Sequence, residues 1–154
     1  MLKLETFAEI IFQIGNLAVL PVWLLMIFAP HLRLTSQVAQ SYISVLILAF
    51  FYTLIVFSNI TFLVQADFAT LQGISNLFQQ SQQNKLFVVA AWFHYLAFDL
   101  AVGTYIFQKM RSECVPHIWI ALSLLFTFML GPFGFLLSVI FSYFFKPNAK
   151  TENV

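Results

Sequence analysis

Charge is what this chain lacks. Asp, Glu, Lys and Arg make up 8% of its 154 residues, against about 25% in a soluble domain. So few charges cannot cover a water-facing surface. With 61% hydrophobic residues and a mean hydropathy of +0.90, the surface must face lipid. A net charge of +1 leaves no basic face for nucleic acid. One cysteine, Cys114, excludes an internal disulfide and a cysteine-rich metal site, and is expected in a loop. No repeat or domain boundary interrupts the chain, which reads as a single integral membrane domain without cofactor or metal. Residues 1–9, with two acids beside Lys3, resemble neither a signal peptide nor a transit peptide. The first apolar run is therefore expected to stay in place. The expected location is a bacterial inner or photosynthetic membrane, or a plastid membrane for a plant protein.

What the chain has is long apolar runs and 20 phenylalanines. A bilayer core of about 30 Å needs roughly 20 apolar residues in a helix. Four stretches qualify, at about 7–29, 42–64, 86–107 and 117–145. None alternates apolar with polar residues, which excludes a barrel. The expected fold is all-α, a four-transmembrane-helix bundle. Pro21 and Pro132 fall inside spans and are expected to kink them, with Gly131-Pro132-Phe133-Gly134 breaking the fourth more sharply. In the polar connector 65–85, Phe68, Leu71, Ile74 and Phe78 recur at helical spacing. Either an ordinary loop or an amphipathic interfacial helix fits. An even number of spans puts both termini on one face. The Lys and Arg distribution assigns that face, narrowly, to the cytoplasm.

Polar side chains in lipid are costly and usually face the bundle interior. In the first span Glu9, Gln13 and Asn16 follow at i, i+4, i+7 and share one helix face. Tyr52 and Asn59 share a face of the second. In the third, Trp92, Tyr95, Asp99 and Gly103 form one face. His94 points about 140° from Asp99, at 100° per residue. Counted from the terminus-bearing side, Asn16, Asn59 and His94 lie roughly 8–14 Å deep and Asp99 about 20 Å, with Glu9 at the mouth. That layering is what a ligand site would produce. Ser123, Thr127, Gly131, Gly134, Ser138 and Ser142 form a small-residue stripe on the fourth span. Its main use is close helix packing, within the chain or in a homo-oligomer.

Three stretches carry a resemblance: Leu20-Pro21-Val22-Trp23-Leu24-Leu25-Met26 running into Ala29-Pro30, Ala91-Trp92-Phe93-His94-Tyr95-Leu96-Ala97-Phe98-Asp99-Leu100, and Leu130-Gly131-Pro132-Phe133-Gly134. In this order they resemble the neoxanthin-synthase-like family, known from abscisic-acid-deficient plants. That resemblance implies a four-span protein acting on carotenoids, with violaxanthin converted to neoxanthin by opening a 5,6-epoxide to an allene. Such a reaction needs an acid at the epoxide oxygen and a base at the vinylic carbon, and transfers no electrons. The resemblance carries over Trp92, His94 and Asp99 from the third span, and Pro21, Gly131 and Pro132 as structural positions.

Two readings follow. In the first, the chain binds a long apolar isoprenoid of carotenoid type. Asp99 or Glu9 would be the acid and His94 the base of an isomerase, with Gln13, Asn16, Tyr52, Asn59, Trp92 and Tyr95 lining the ligand. In the second it is a non-enzymatic membrane scaffold or accessory subunit. A haem carrier fits less well, because His94 has no second histidine at its depth.

Overall fold

The computed structural model describes residues 2–145, which form eight helices: α1 (Leu2–Phe28), α2 (Arg33–Ser41), α3 (Ile43–Ser58), α4 (Ile60–Val64), α5 (Leu71–Ser81), α6 (Lys85–Ser112), α7 (His117–Leu130) and α8 (Pro132–Phe145). No strand occurs among the described residues, as expected for the all-α class. Three helical runs are long and apolar enough to cross a membrane: Thr6–Phe28, Arg33–Ser58 and Lys85–Ser112. In an 18-residue apolar stretch of each, only 28%, 6% and 39% of the residues are buried within the protein. The rest presents apolar surface outward, as lipid requires and water forbids.

The fourth apolar stretch departs from expectation. It is two antiparallel helices rather than one kinked span. Trp119 of α7 stacks on Phe145 of α8 at a ring separation of 4.1 Å and packs against Phe141 at 4.9 Å. In a continuous helix residues 119 and 145 would lie about 39 Å apart. The reversal falls at Gly131, which has φ +26° and closes α7 by donating its N–H to Thr127 O at 2.9 Å. Pro132 then opens α8, where its missing N–H costs nothing. Each helix has 14 residues, or about 21 Å, too short for a 30 Å core.

The small-residue stripe is the inner surface of this hairpin. Ser123, Thr127, Gly131, Gly134 and Ser138 are all buried, and a side chain at Gly134 would run into the Thr127 backbone. Packing within the chain thus accounts for the stripe without a second copy.

The chain divides into two compact units. The first combines the chain up to Val19 with Ser44–Ala97, and the second combines Leu20–Ile43 with the chain from Phe98 onward. In the first, Gly15 of α1 admits the buried ring of Phe93 of α6, which any larger residue would displace. In the second, Gly103 of α6 does the same for Trp23 of α1, buried to 3% exposure and edge-on to Phe128.

One further segment differs from the sequence reading, and another settles into one of its two options. α2 extends the second apolar run backward to Arg33, joined to α3 through Tyr42 at φ +52°. In the 65–85 connector α5 forms, the interfacial-helix option. Its N-cap Thr70 accepts from Gly73 N at 3.0 Å, which satisfies one first-turn donor. Leu71 and Phe78 are 87% and 70% exposed, an apolar face fitted to a lipid interface.

Candidate functional site

The structure sorts the polar residues of the spans into separate groups. The largest is on the first unit, where α1 meets α6. Trp92 donates its indole N–H to Asn16 Oδ1 at 2.8 Å. That bond fixes the indole plane, which continues into a row of rings. Phe12 lies 5.7 Å from Trp92, and Tyr95 stacks on Trp92 at 5.4 Å with 26° between planes. Trp92 and Tyr95 remain 37% and 38% exposed. They offer faces outward rather than filling a core.

Beside this row, Glu9 and Lys85 line one cleft of about 300 Å³ with Ala8, Phe12, Val88 and Val89. Phe12 belongs to both the cleft and the row, so charged groups stand at one end of an otherwise apolar strip. Gln13 is exposed on the same helix. A second cleft, about 140 Å³ and lined by Ile11, Ile14, Gly15, Ala18, Ile47, Leu48, Phe51 and Phe93, is wholly apolar.

His94 belongs elsewhere. It is exposed, and its ring lies 5.3 Å from that of Tyr52 on α3. Along α6 it is rotated about 200° from Trp92, so α6 presents Trp92 toward α1 and His94 toward α3. Asn59 interrupts the α3–α4 helix. Its Nδ2 donates to Ile55 O at 2.9 Å and its Oδ1 accepts from Asn84 Nδ2, also at 2.9 Å. It ties two chain segments together and does not meet the rings. The expected single polar pocket is therefore not what the first unit contains.

Asp99 lies in the second unit, half-buried against the hairpin turn: a Cβ at Gly131 would lie 2.6 Å from its Oδ1. The residue after Gly131 begins α8, and a carboxylate there complements the positive end of the helix dipole. In this unit two of the stretches that carry the family resemblance touch, Asp99 on Gly131, and Trp23 of the remaining one lies on Gly103. Sequence spacing gave no sign of the Asp99–Gly131 pairing, because it depends on the chain reversing at Gly131. His117 has its Nε2 2.9 Å from Ile27 O. No group of three potential metal ligands occurs among the described residues.

The family model described as ABA DEFICIENT 4-like matches residues 10–137. The chain belongs to this family. It is similar to Protein ABA DEFICIENT 4, chloroplastic, of Arabidopsis thaliana, at 25% identity over 127 residues, 77% of this chain and 56% of that protein. The chain thus spans little more than half the length of its curated relative. No solved structure matches it. The family match takes in Asn16, Trp23, Trp92, Asp99 and Gly131, so both the ring row and the hairpin turn lie inside it. The family match and the long apolar helices make this a membrane-associated protein.

Proposed function

We propose that this chain is a multi-pass membrane protein that holds a long apolar isoprenoid of the carotenoid class along the Phe12–Trp92–Tyr95 row. The observation that carries the reading is the exposed, stacked pair Trp92 and Tyr95 with its indole locked by Asn16. Half-exposed rings on a lipid-facing surface suit the flat face of a polyene, gaining about 0.5–1.5 kcal/mol per ring pair beyond area burial. The Glu9–Lys85 cleft at the end of the row suits the oxygen-bearing end ring.

Turnover is the finer reading. Glu9 would protonate an epoxide oxygen as the C–O bond breaks. A base would remove the proton from the neighbouring vinylic carbon, and that electron pair would form the new double bond of the allene. General acid–base assistance of this kind supplies about 10²–10⁴-fold. His94 would serve a ligand lying on the α3 side of α6, and Asp99 one reaching the hairpin turn. Since His94 and Glu9 stand on different faces, binding is better supported than isomerisation.

In this reading α1, α2 with α3, and α6 cross the bilayer, and α7–α8 enters and returns. The N-terminus and the end of α8 then lie on opposite faces, and not together as four crossings would require. The test is co-purification from a pigment-producing host. A polyene spectrum should travel with the pure protein and be lost in Trp92→Leu but kept in Asn84→Ala. Colourless protein with no extractable isoprenoid would refute the reading. If ligand binds, conversion of an epoxy-carotenoid in nanodiscs, tested in Glu9→Gln and His94→Ala, decides between carrier and isomerase.

A further inference from the structure

The second unit contains a polar cavity that the ligand reading does not use. It lies between α2 and the last turns of α6, encloses about 230 Å³, and is lined by Ser36, Ala39, Gln40, Phe107, Gln108 and Arg111. No carboxylate is among these residues. Arg111 is held in place on three sides: its Nη1 donates to Pro30 O at 2.9 Å and to Ser36 Oγ at 3.2 Å, and its guanidinium lies 5.0 Å over the Phe107 ring. Gln108 Nε2 donates to Ala39 O at 2.7 Å, which clamps α2 onto α6 and keeps the cavity open beside them. Both Arg111 hydrogen bonds use Nη1, and Arg111 also lines the cavity.

The surroundings point the same way. Arg33 begins α2, and Lys109 lies 5.6 Å over Tyr105. Leu32 and Leu34, at the start of α2, are 51% and 54% exposed, and Phe28 just before them is 76% exposed. Apolar residues that face outward on either side of an arginine mark the depth at which acyl chains give way to headgroups.

The geometry points to a binding site in this cavity for the phosphate of an anionic membrane phospholipid, with Arg111 as the principal ligand and Gln40 as a second donor. The guanidinium fork matches a phosphate in shape and charge, and charge-assisted bonds of this kind are about twice as strong as neutral ones. The exposed leucines accommodate the acyl chains.

The experiment uses the purified full chain in a neutral detergent, with thermal unfolding measured against increasing phosphatidylglycerol, phosphatidylcholine or inorganic phosphate. Phosphatidylglycerol should raise the transition temperature in a saturable way, and phosphatidylcholine much less, since its headgroup carries no net charge. Arg111→Gln should weaken the phosphatidylglycerol response about tenfold or more, the value of a hydrogen bond to a charged group. Because that change also removes the Pro30 and Ser36 bonds, Gln40→Glu is the decisive variant. It places a carboxylate in the cavity and touches none of them, so the lipid response should fall while the lipid-free transition stays within error. An undiminished response in Gln40→Glu would overturn the proposal. So would an equal effect of inorganic phosphate, which would make the site one for free anions.

Discussion

Asp99 and Gly131 are fitted to each other: the carboxyl oxygen of one occupies the space that a β-carbon of the other would fill. Gly131 also sits at φ +26°, where L side chains are strained. Two costs therefore coincide in Gly131→Ala, and the variant should lose about 2–4 kcal/mol of stability in detergent unfolding. Combining it with Asp99→Ala should restore part of that loss, because the collision is relieved and the backbone strain remains. Strictly additive losses would show that the two residues do not interact. Asp99→Asn alone should cost only about 0.3–1 kcal/mol, the worth of a carboxylate at a helix start.

The hairpin itself is open to a geometric test. In a Cys114→Ser background, cysteines introduced by Trp119→Cys and Phe145→Cys should be joined by a flexible bis-maleimide, since the rings they replace are 4.1 Å apart. A single straight span would hold the two positions about 39 Å apart, far beyond the reagent's reach of about 10 Å. Failure to cross-link, with control pairs elsewhere reacting, would restore the four-span arrangement.

Cys114 should respond to substitution in an unusual direction. It ends α6 at φ +56°, with Cys114 N donating to Arg111 O and Val115 N to Met110 O, both at 3.0 Å. This is the glycine-favouring helix terminus known as a Schellman motif. Cys114→Gly should raise stability by about 0.5–1 kcal/mol by removing the steric cost of the left-handed conformation. Cys114→Ala, which keeps that cost, should give no gain.

One carboxylate outside the spans carries a pH dependence. Asp67 accepts from the Thr70 hydroxyl at 2.5 Å and from Ala69 N at 2.8 Å, and these bonds hold its carboxyl below the ordinary value of 3.8. A depressed carboxyl stabilises the folded turn above its unfolded value, and that support is lost as pH falls through the lowered one. The start of α5 should therefore loosen only in acid below about pH 4. Thr70→Val should move the carboxyl titration, read by carbon-13 shift, back upward. An unmoved midpoint would mean that the hydrogen bond is not its cause.

The chain's solvent, its helical class, and the break at Gly131-Pro132 were legible without coordinates. They follow from local facts: too few charges for water, apolar runs of span length, and Gly beside Pro. The breaks at Tyr42 and Asn59 carry neither residue and were not legible. The face relations along single helices were equally legible, because a 3.6-residue period decides them. So the Trp92–Tyr95 stack and its separation from His94 follow from α6 alone. Tertiary structure decided what those faces meet. It set Trp92 on Asn16 and His94 on Tyr52, and so divided the expected pocket. It also turned 117–145 back on itself. A break at Gly131-Pro132 permits either a kinked span or a hairpin, and local preference is the same for both. The choice rests on non-local contacts, Trp119 with Phe145 and Gly131 with Asp99, whose energies no sequence window contains.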